Sequence, residues 1–280
     1  MNLTKVLPQN LSIMQFSQPK CLELSGKTFR LAMDNGFDTE LTFTDETCAR
    51  SAADGEPFEA PYVCVKGDDT TYLVSFERDI TENHTYVLDM EQRLVTYVIC
   101  RKGVNPKNHH QMTWDIAFGA IDLPGFRLPF KRHKFATDHM GTTVHWIWSP
   151  SLDTKHAYLE PDYYRITWDD KGSASEEFDA TNEKLVSTDE AARYVRIKDD
   201  LILFVFSEEK LEFFLNDQQF FRCDNMVLMQ NYDRMYQVGR CFGDCMPPEG
   251  QRHIFGTMRA YGEPVELPER FLAAENPFTV

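Results

Sequence analysis

The dipeptide Asn35-Gly36 lies between Lys27–Met33 and Thr39–Thr44, two segments whose side chains alternate in character. An Asn-Gly step supplies the positive φ angles of a tight hairpin turn, so the pair constrains this region to two antiparallel strands. The same texture continues along the chain, where short runs rich in Val, Thr, Phe, Tyr and Leu are closed by turn residues and long helical periods are rare. Further strands are expected at Pro61–Val65, Thr70–Phe76, His84–Asp89 and Leu94–Arg101. In the second half they are expected at Thr142–Trp148, His156–Glu160, Tyr163–Trp168, Ala191–Lys198, Leu201–Ser207, Glu212–Leu215, Asn225–Gln230 and Met235–Val238. The fold class is mainly β.

Three correspondences in the same order relate the halves. Gly26-Lys27-Thr28-Phe29 matches Gly141-Thr142-Thr143-Val144, and Lys66 to Asp69 before Tyr72–Phe76 matches Lys198 to Asp200 before Leu203–Phe206. Tyr86–Met90 with Arg93 matches Met226–Gln230 with Arg234. A meander removes its open edges by curling on itself, so two antiparallel β-barrels in tandem are expected. The first occupies residues 1–104 and the second, with its tail, 140–280. Residues 105–139, rich in Pro and carrying Arg127, Lys131, Arg132 and Lys134, read as a connector, and the chain from Pro247 reads as too broken for a further domain.

A formal charge of −15 opposes binding to nucleic acid and to anionic membranes, which leaves a neutral or aromatic small molecule as the expected partner. No apolar run is long enough to cross a bilayer, and Met1 to Lys20 carries Gln, Asn and Ser where a signal peptide would be apolar, so a cytoplasmic protein is expected. The seven cysteines have no framework spacing and read as reduced thiols, Cys241 and Cys245 included. The triplets at Asn2, Asn10 and Asn83 are then unused for glycosylation. His109, His110, His133 and His139 have no metal-site spacing, so no metal is expected. No dinucleotide fingerprint, phosphate loop or nucleophile elbow is present, so no cofactor is expected either.

Trp148-Ser149-Pro150, His156-Ala157-Tyr158-Leu159, Tyr164 with Trp168, Leu203–Phe206 and Asp233-Arg234-Met235 make the second half similar to the MoaF family. Asp34-Asn35-Gly36-Phe37 and Ser75-Phe76-Glu77 make the first half resemble the phenolic acid decarboxylases. The resemblance implies a calycin or lipocalin-like barrel over most of residues 20 to 245. It also implies cofactor-free chemistry in which Glu77 moves a proton and Arg50 assists. Leu31 and Met33 stand where those decarboxylases hold substrate-binding tyrosines, a departure that puts phenolic acid decarboxylation itself in question.

A carboxyl inside an apolar barrel has its neutral form favoured, which suits Glu77 to acid or base work. Arg50 would polarise the substrate, with His145 as a further acid or base. The aromatic set Trp146, Trp148, Tyr158, Tyr163, Tyr164 and Trp168, with His156, alternates on strands, so that one subset must face inward. With Leu31 and Met33 it is the expected substrate-binding surface. The expectation is a lyase or isomerase acting on an apolar or aromatic metabolite by decarboxylation, dehydration, isomerisation or cyclisation. The alternatives are a lipocalin-like carrier of a lipophilic ligand and an accessory protein in molybdenum cofactor biosynthesis. A homodimer is left open.

Overall fold

The computed structural model describes residues 14–103, 111–150, 152–169, 185–208, 225–245 and 252–266. Among these residues there are seventeen strands and no α-helix. The first eight are β1 (Thr28–Met33), β2 (Thr39–Phe43), β3 (Thr47–Ala52), β4 (Gly55–Lys66), β5 (Thr71–Asp79), β6 (Glu82–Asp89), β7 (Leu94–Gly103) and β8 (Gln111–Asp122). They pair antiparallel in chain order, and β8 returns to β1 to close a barrel. The expected hairpin is β1–β2, with Gly36 at a φ of 81° in its turn.

A two-residue strand, β9 (Lys134–Phe135), precedes the second group. This comprises β10 (Thr142–Ser149), β11 (Leu152–Glu160), β12 (Tyr163–Asp169), β13 (Leu185–Lys198), β14 (Leu201–Phe206), β15 (Asn225–Asn231), β16 (Tyr236–Cys245) and β17 (Arg252–Pro264). Again the strands pair in order, and β10–β17 completes a second ring of eight, with β9 added against β13. The mainly β, tandem-barrel expectation is met.

Two boundaries differ from expectation. The first barrel extends past residue 104, because β8 lies inside the expected connector and supplies the eighth strand. Likewise the proline-flanked tail contains β17, without which the second barrel would stay open. The strand expected at Glu212–Leu215 lies outside the described residues, as do His109 and His110.

The repeat is real at the level of strand position. Gly26 and Gly141, both with positive φ, precede β1 and β10. Arg93 and Met235, the two non-glycine residues with positive φ among those described, end the turns after β6 and β15. Each turn is capped alike: Asp89 Oδ1 accepts from the Gln92 amide at 3.0 Å and Asn231 Oδ1 from the Arg234 amide at 2.9 Å. The structural match is therefore Asp89 with Asn231, two residues away from the pairing that the side chains suggested.

The barrels pack flank to flank. Val65, Leu73, Val87 and Val98 on the outer face of the first meet Val195, Leu203, Val205, Val227 and Met229 on the second. Strands β14 and β15 are thus buried on both faces, which is why they read as unbroken apolar runs rather than alternating ones. Lys198 joins this seam, with its Nζ 2.9 Å from Asp68, 3.0 Å from Glu91 and 3.7 Å from the fully buried Asp89.

Candidate functional site

Alternation on β3 turns Cys48 and Arg50 inward, and Arg50 is only 3% exposed inside the first barrel. A buried guanidinium must be paired and hydrogen-bonded. Its Nη2 donates to both carboxylate oxygens of Asp54 at 2.7 Å, and its Nε donates to the Tyr86 hydroxyl at 2.8 Å. Tyr86 on β6 and Tyr97 on β7 are direct cross-strand partners, with rings stacked at 4.6 Å and 17°. The Arg50 guanidinium lies 5.7 Å from the Tyr97 ring centre.

From Tyr97 the network continues to His84, whose Nδ1 is 2.8 Å from the phenol oxygen and whose Nε2 is 3.0 Å from Glu82 Oε1. The His84 bond chiefly draws the Glu82 carboxyl down to about 2, against the cost of burial and with help from Arg101. Because the ionised carboxylate can only accept, the network assigns the proton to His84 Nε2, and Nδ1 accepts from the Tyr97 hydroxyl. Burial lowers the His84 pKa below 6.5 despite Glu82, so the ring is neutral near pH 7. Burial also pushes the Tyr86 hydroxyl up to about 12 and Tyr97 further up, each partly offset by Arg50. Burial works against the Arg50 charge, but the two phenols and Asp54 outweigh it and raise its pKa. Phe58 and Phe76 flank the imidazole at 5.2 and 5.8 Å.

The expected catalytic set is not assembled. Glu77 follows Phe76 on β5, and since Phe76 points inward, Glu77 stands on the barrel's outer face, 2.6 Å from His253 Nε2 of β17. A site inside the first barrel therefore contains Arg50 without Glu77. His145 is also outside its barrel, between Asp153 at 2.7 Å and Glu263 at 3.0 Å, because its neighbours Val144 and Trp146 point inward. Leu31 and Met33 line the first barrel with Arg50. Sequence reasoning missed Asp54, Glu82, His84, Tyr86 and Tyr97. The signal was the polar set Glu82, His84 and Tyr86 at i, i+2 and i+4, on one face of a strand expected only from His84 onward.

The remaining expected residues meet in the second barrel. Trp146, Trp148, His156, Tyr158 and Tyr164 are all buried in its interior with Tyr194, Phe204 and Phe206, and Tyr163 is half-buried on the other face of β12. Tyr158 accepts hydrogen bonds from Trp146 Nε1 at 3.0 Å and Gln230 Nε2 at 2.6 Å. Tyr164 donates to Glu208 Oε1 at 3.0 Å. Trp168 lies on β12, and its side chain falls outside the described residues. His133 bonds Thr96 at 2.8 Å and faces Asp89, while His139 packs on Tyr158 and Tyr194. Among the described residues, no three His, Cys, Asp or Glu side chains are grouped to hold a metal ion.

Residues 12–102 match the family model described as the MoaF N-terminal domain. The match covers β1 to nearly the end of β7, so it falls on the barrel that holds Arg50, whereas the motifs noted for that family lie in the second barrel. No curated protein matches the chain. A crystal structure described as "a putative beta-lactamase from Burkholderia vietnamiensis" shares 12% identity, covering 40% of this chain and 100% of that one at a TM-score of 0.30, too low to carry an argument.

Proposed function

We propose that the first barrel is a cofactor-independent lyase or isomerase site, in which Tyr97 and His84 move a proton on a small apolar or aromatic metabolite positioned by Arg50. The observation that carries this reading is the directed relay from Tyr97 through His84 to Glu82, beside a buried guanidinium. A substrate proton taken by the Tyr97 oxygen is matched by transfer of the phenol proton to His84 Nδ1. The imidazolium so formed keeps its Nε2–H on the Glu82 carboxylate. Reversal of the two transfers returns the proton at another substrate atom or to a leaving group. Arg50 supplies fixed positive charge where negative charge develops, and that stabilisation is strongest where water is excluded. The MoaF N-terminal match lies over this barrel, and the resemblance of the same half to cofactor-free decarboxylases favours this class of chemistry.

The test is mass spectrometry of a metabolite extract incubated with wild-type protein, Tyr97→Phe and Glu77→Gln, each checked for native circular dichroism. Wild type and Glu77→Gln are expected to form the same product. Tyr97→Phe should slow its formation by roughly 100-fold or more, the usual scale of a positioned acid or base. A fully active Tyr97→Phe, or a product lost only in Glu77→Gln, would overturn the assignment.

A further inference from the structure

The interior of the second barrel holds buried polar atoms without a hydrogen-bond partner. Neither nitrogen of His139 has a partner, nor does His156 Nδ1 or Gln237 Nε2, although these side chains are at least nine-tenths buried. Leaving a buried donor unmet costs more than a made bond returns, so native interiors rarely keep several in one place. All three side chains stand around Tyr158. The imidazoles of His139 and His156 flank its ring at 5.4 and 6.4 Å, and Gln237 reaches its hydroxyl through Gln230, whose Nε2 is 2.6 Å from Tyr158 and 3.0 Å from Gln237 Oε1.

The polarity of the unmet groups follows from their neighbours. Trp148 Nε1 can only donate, and it donates to Thr154 Oγ1 at 2.9 Å. We assign the threonine proton to His156 Nε2, 3.0 Å away, and in that tautomer the ring carries its own proton on Nδ1. His156 Nδ1 and Gln237 Nε2 are therefore donors that need an acceptor oxygen. Three of the surrounding titratable groups sit in neutral forms: burial draws His156 down to about 3 and His139 to about 4, while burial and then the charge of the buried Glu190 push Glu208 up to about 8. Trp148, Tyr164, Phe204 and Phe206 complete a wall of ring faces.

We infer that the interior of the second barrel is a separate binding site for a small, neutral carbonyl compound with an apolar ring body, its oxygen taken by the donors of His156 and Gln237. An eight-stranded barrel has the width for one small ligand, and aromatic walls with a few convergent polar groups are the usual make-up of such sites. This site is independent of the proton relay in the first barrel.

The probes are 2-acetonaphthone and 2-ethylnaphthalene, close in size, of which only the first has an acceptor oxygen. Binding is followed by quenching of tryptophan fluorescence, and histidine side-chain nitrogen NMR reads the His156 tautomer. The ketone is expected to bind at least about fivefold more tightly, with a shift of the protonated Nδ1 resonance of His156. That preference should vanish in His156→Phe, which keeps a ring of similar size, and persist in Tyr97→Phe, which disables only the first barrel. Equal affinity for the two probes, absence of ketone binding, a preference retained in His156→Phe, or loss in Tyr97→Phe would each overturn the inference. So would a crystal structure of the ketone-soaked protein in which only buried water satisfies these groups.

Discussion

The interior titratable groups of the second barrel tie stability to solution pH. In the second barrel His156 and His139 are neutral because burial disfavours their charge, with folded values of about 3 and about 4 against an ordinary 6.5. The unfolded chain binds these protons first, so the stability they support is complete above pH 6.5 and declines as pH falls toward the folded values. Each imidazole contributes a slope of up to ~1.4 kcal/mol per pH unit in that window. Glu208 acts in the opposite sense: its folded value is raised to about 8, so the stability from its proton is complete below 4.5 and lost as pH rises through about 8. Urea unfolding from pH 4.5 to 8.5 should show both limbs, with His156→Phe flattening the acid one and Glu208→Gln the alkaline one. At this scale the inward residues Trp146, Trp148, His156, Tyr158 and Tyr164 were legible from alternation. Glu77 and His145 were not, because a one-residue change of phase moves a strand residue to the other face.

At the scale of strands, closure depends on the two elements that composition hid. Strand β8 carries Ala117, Gly119 and Ala120, poor strand formers beside a proline-rich stretch, and so resembles a linker. Its small residues are what allow β1 to approach: a Cβ on Gly119 would lie 2.5 Å from the Ala32 carbonyl oxygen and 3.1 Å from the Met33 Cα. Gly119→Ala is expected to cost about 1–3 kcal/mol by overpacking, read as a lower urea midpoint with an unchanged slope. The strand β3 also escaped notice, and with it Asp54, the partner of Arg50 in the β3–β4 turn.

For the whole molecule, the apolar seam between the barrels is expected to couple them into one cooperative unit. Leu203 is fully buried there, so Leu203→Ala should cost about 2–5 kcal/mol, and far-UV circular dichroism and tryptophan fluorescence should still report a single transition. Replacing Lys198 by Met would leave Asp68 and the buried Asp89 without their shared cation. Breaking such a pair costs about 3–5 kcal/mol when the remaining charge is buried. Burial alone would raise both carboxyl pKa values, but the facing His133, the bonds from Gln92 and the charge of Lys198 hold Asp89 below 3.8, as the bonds from Lys198 and Thr70 hold Asp68. Their contribution is therefore present above the ordinary carboxylate range and lost as pH falls through the lowered folded values, a decline that Lys198→Met should diminish.

Period-two alternation, Asn-Gly turn chemistry and a repeat in strand order are local properties, and they sufficed to determine a β protein built as two related barrels. They also sufficed to collect the aromatic residues of the second barrel. The partners that turn buried side chains into sites were decided only by the tertiary structure. Arg50 meets Tyr86 across thirty-six positions of chain, and Gln230 meets Tyr158 across seventy-two. Such pairings follow from barrel closure and register, which no short window of residues encodes, and the absolute inside or outside of Glu77 follows from the same closure.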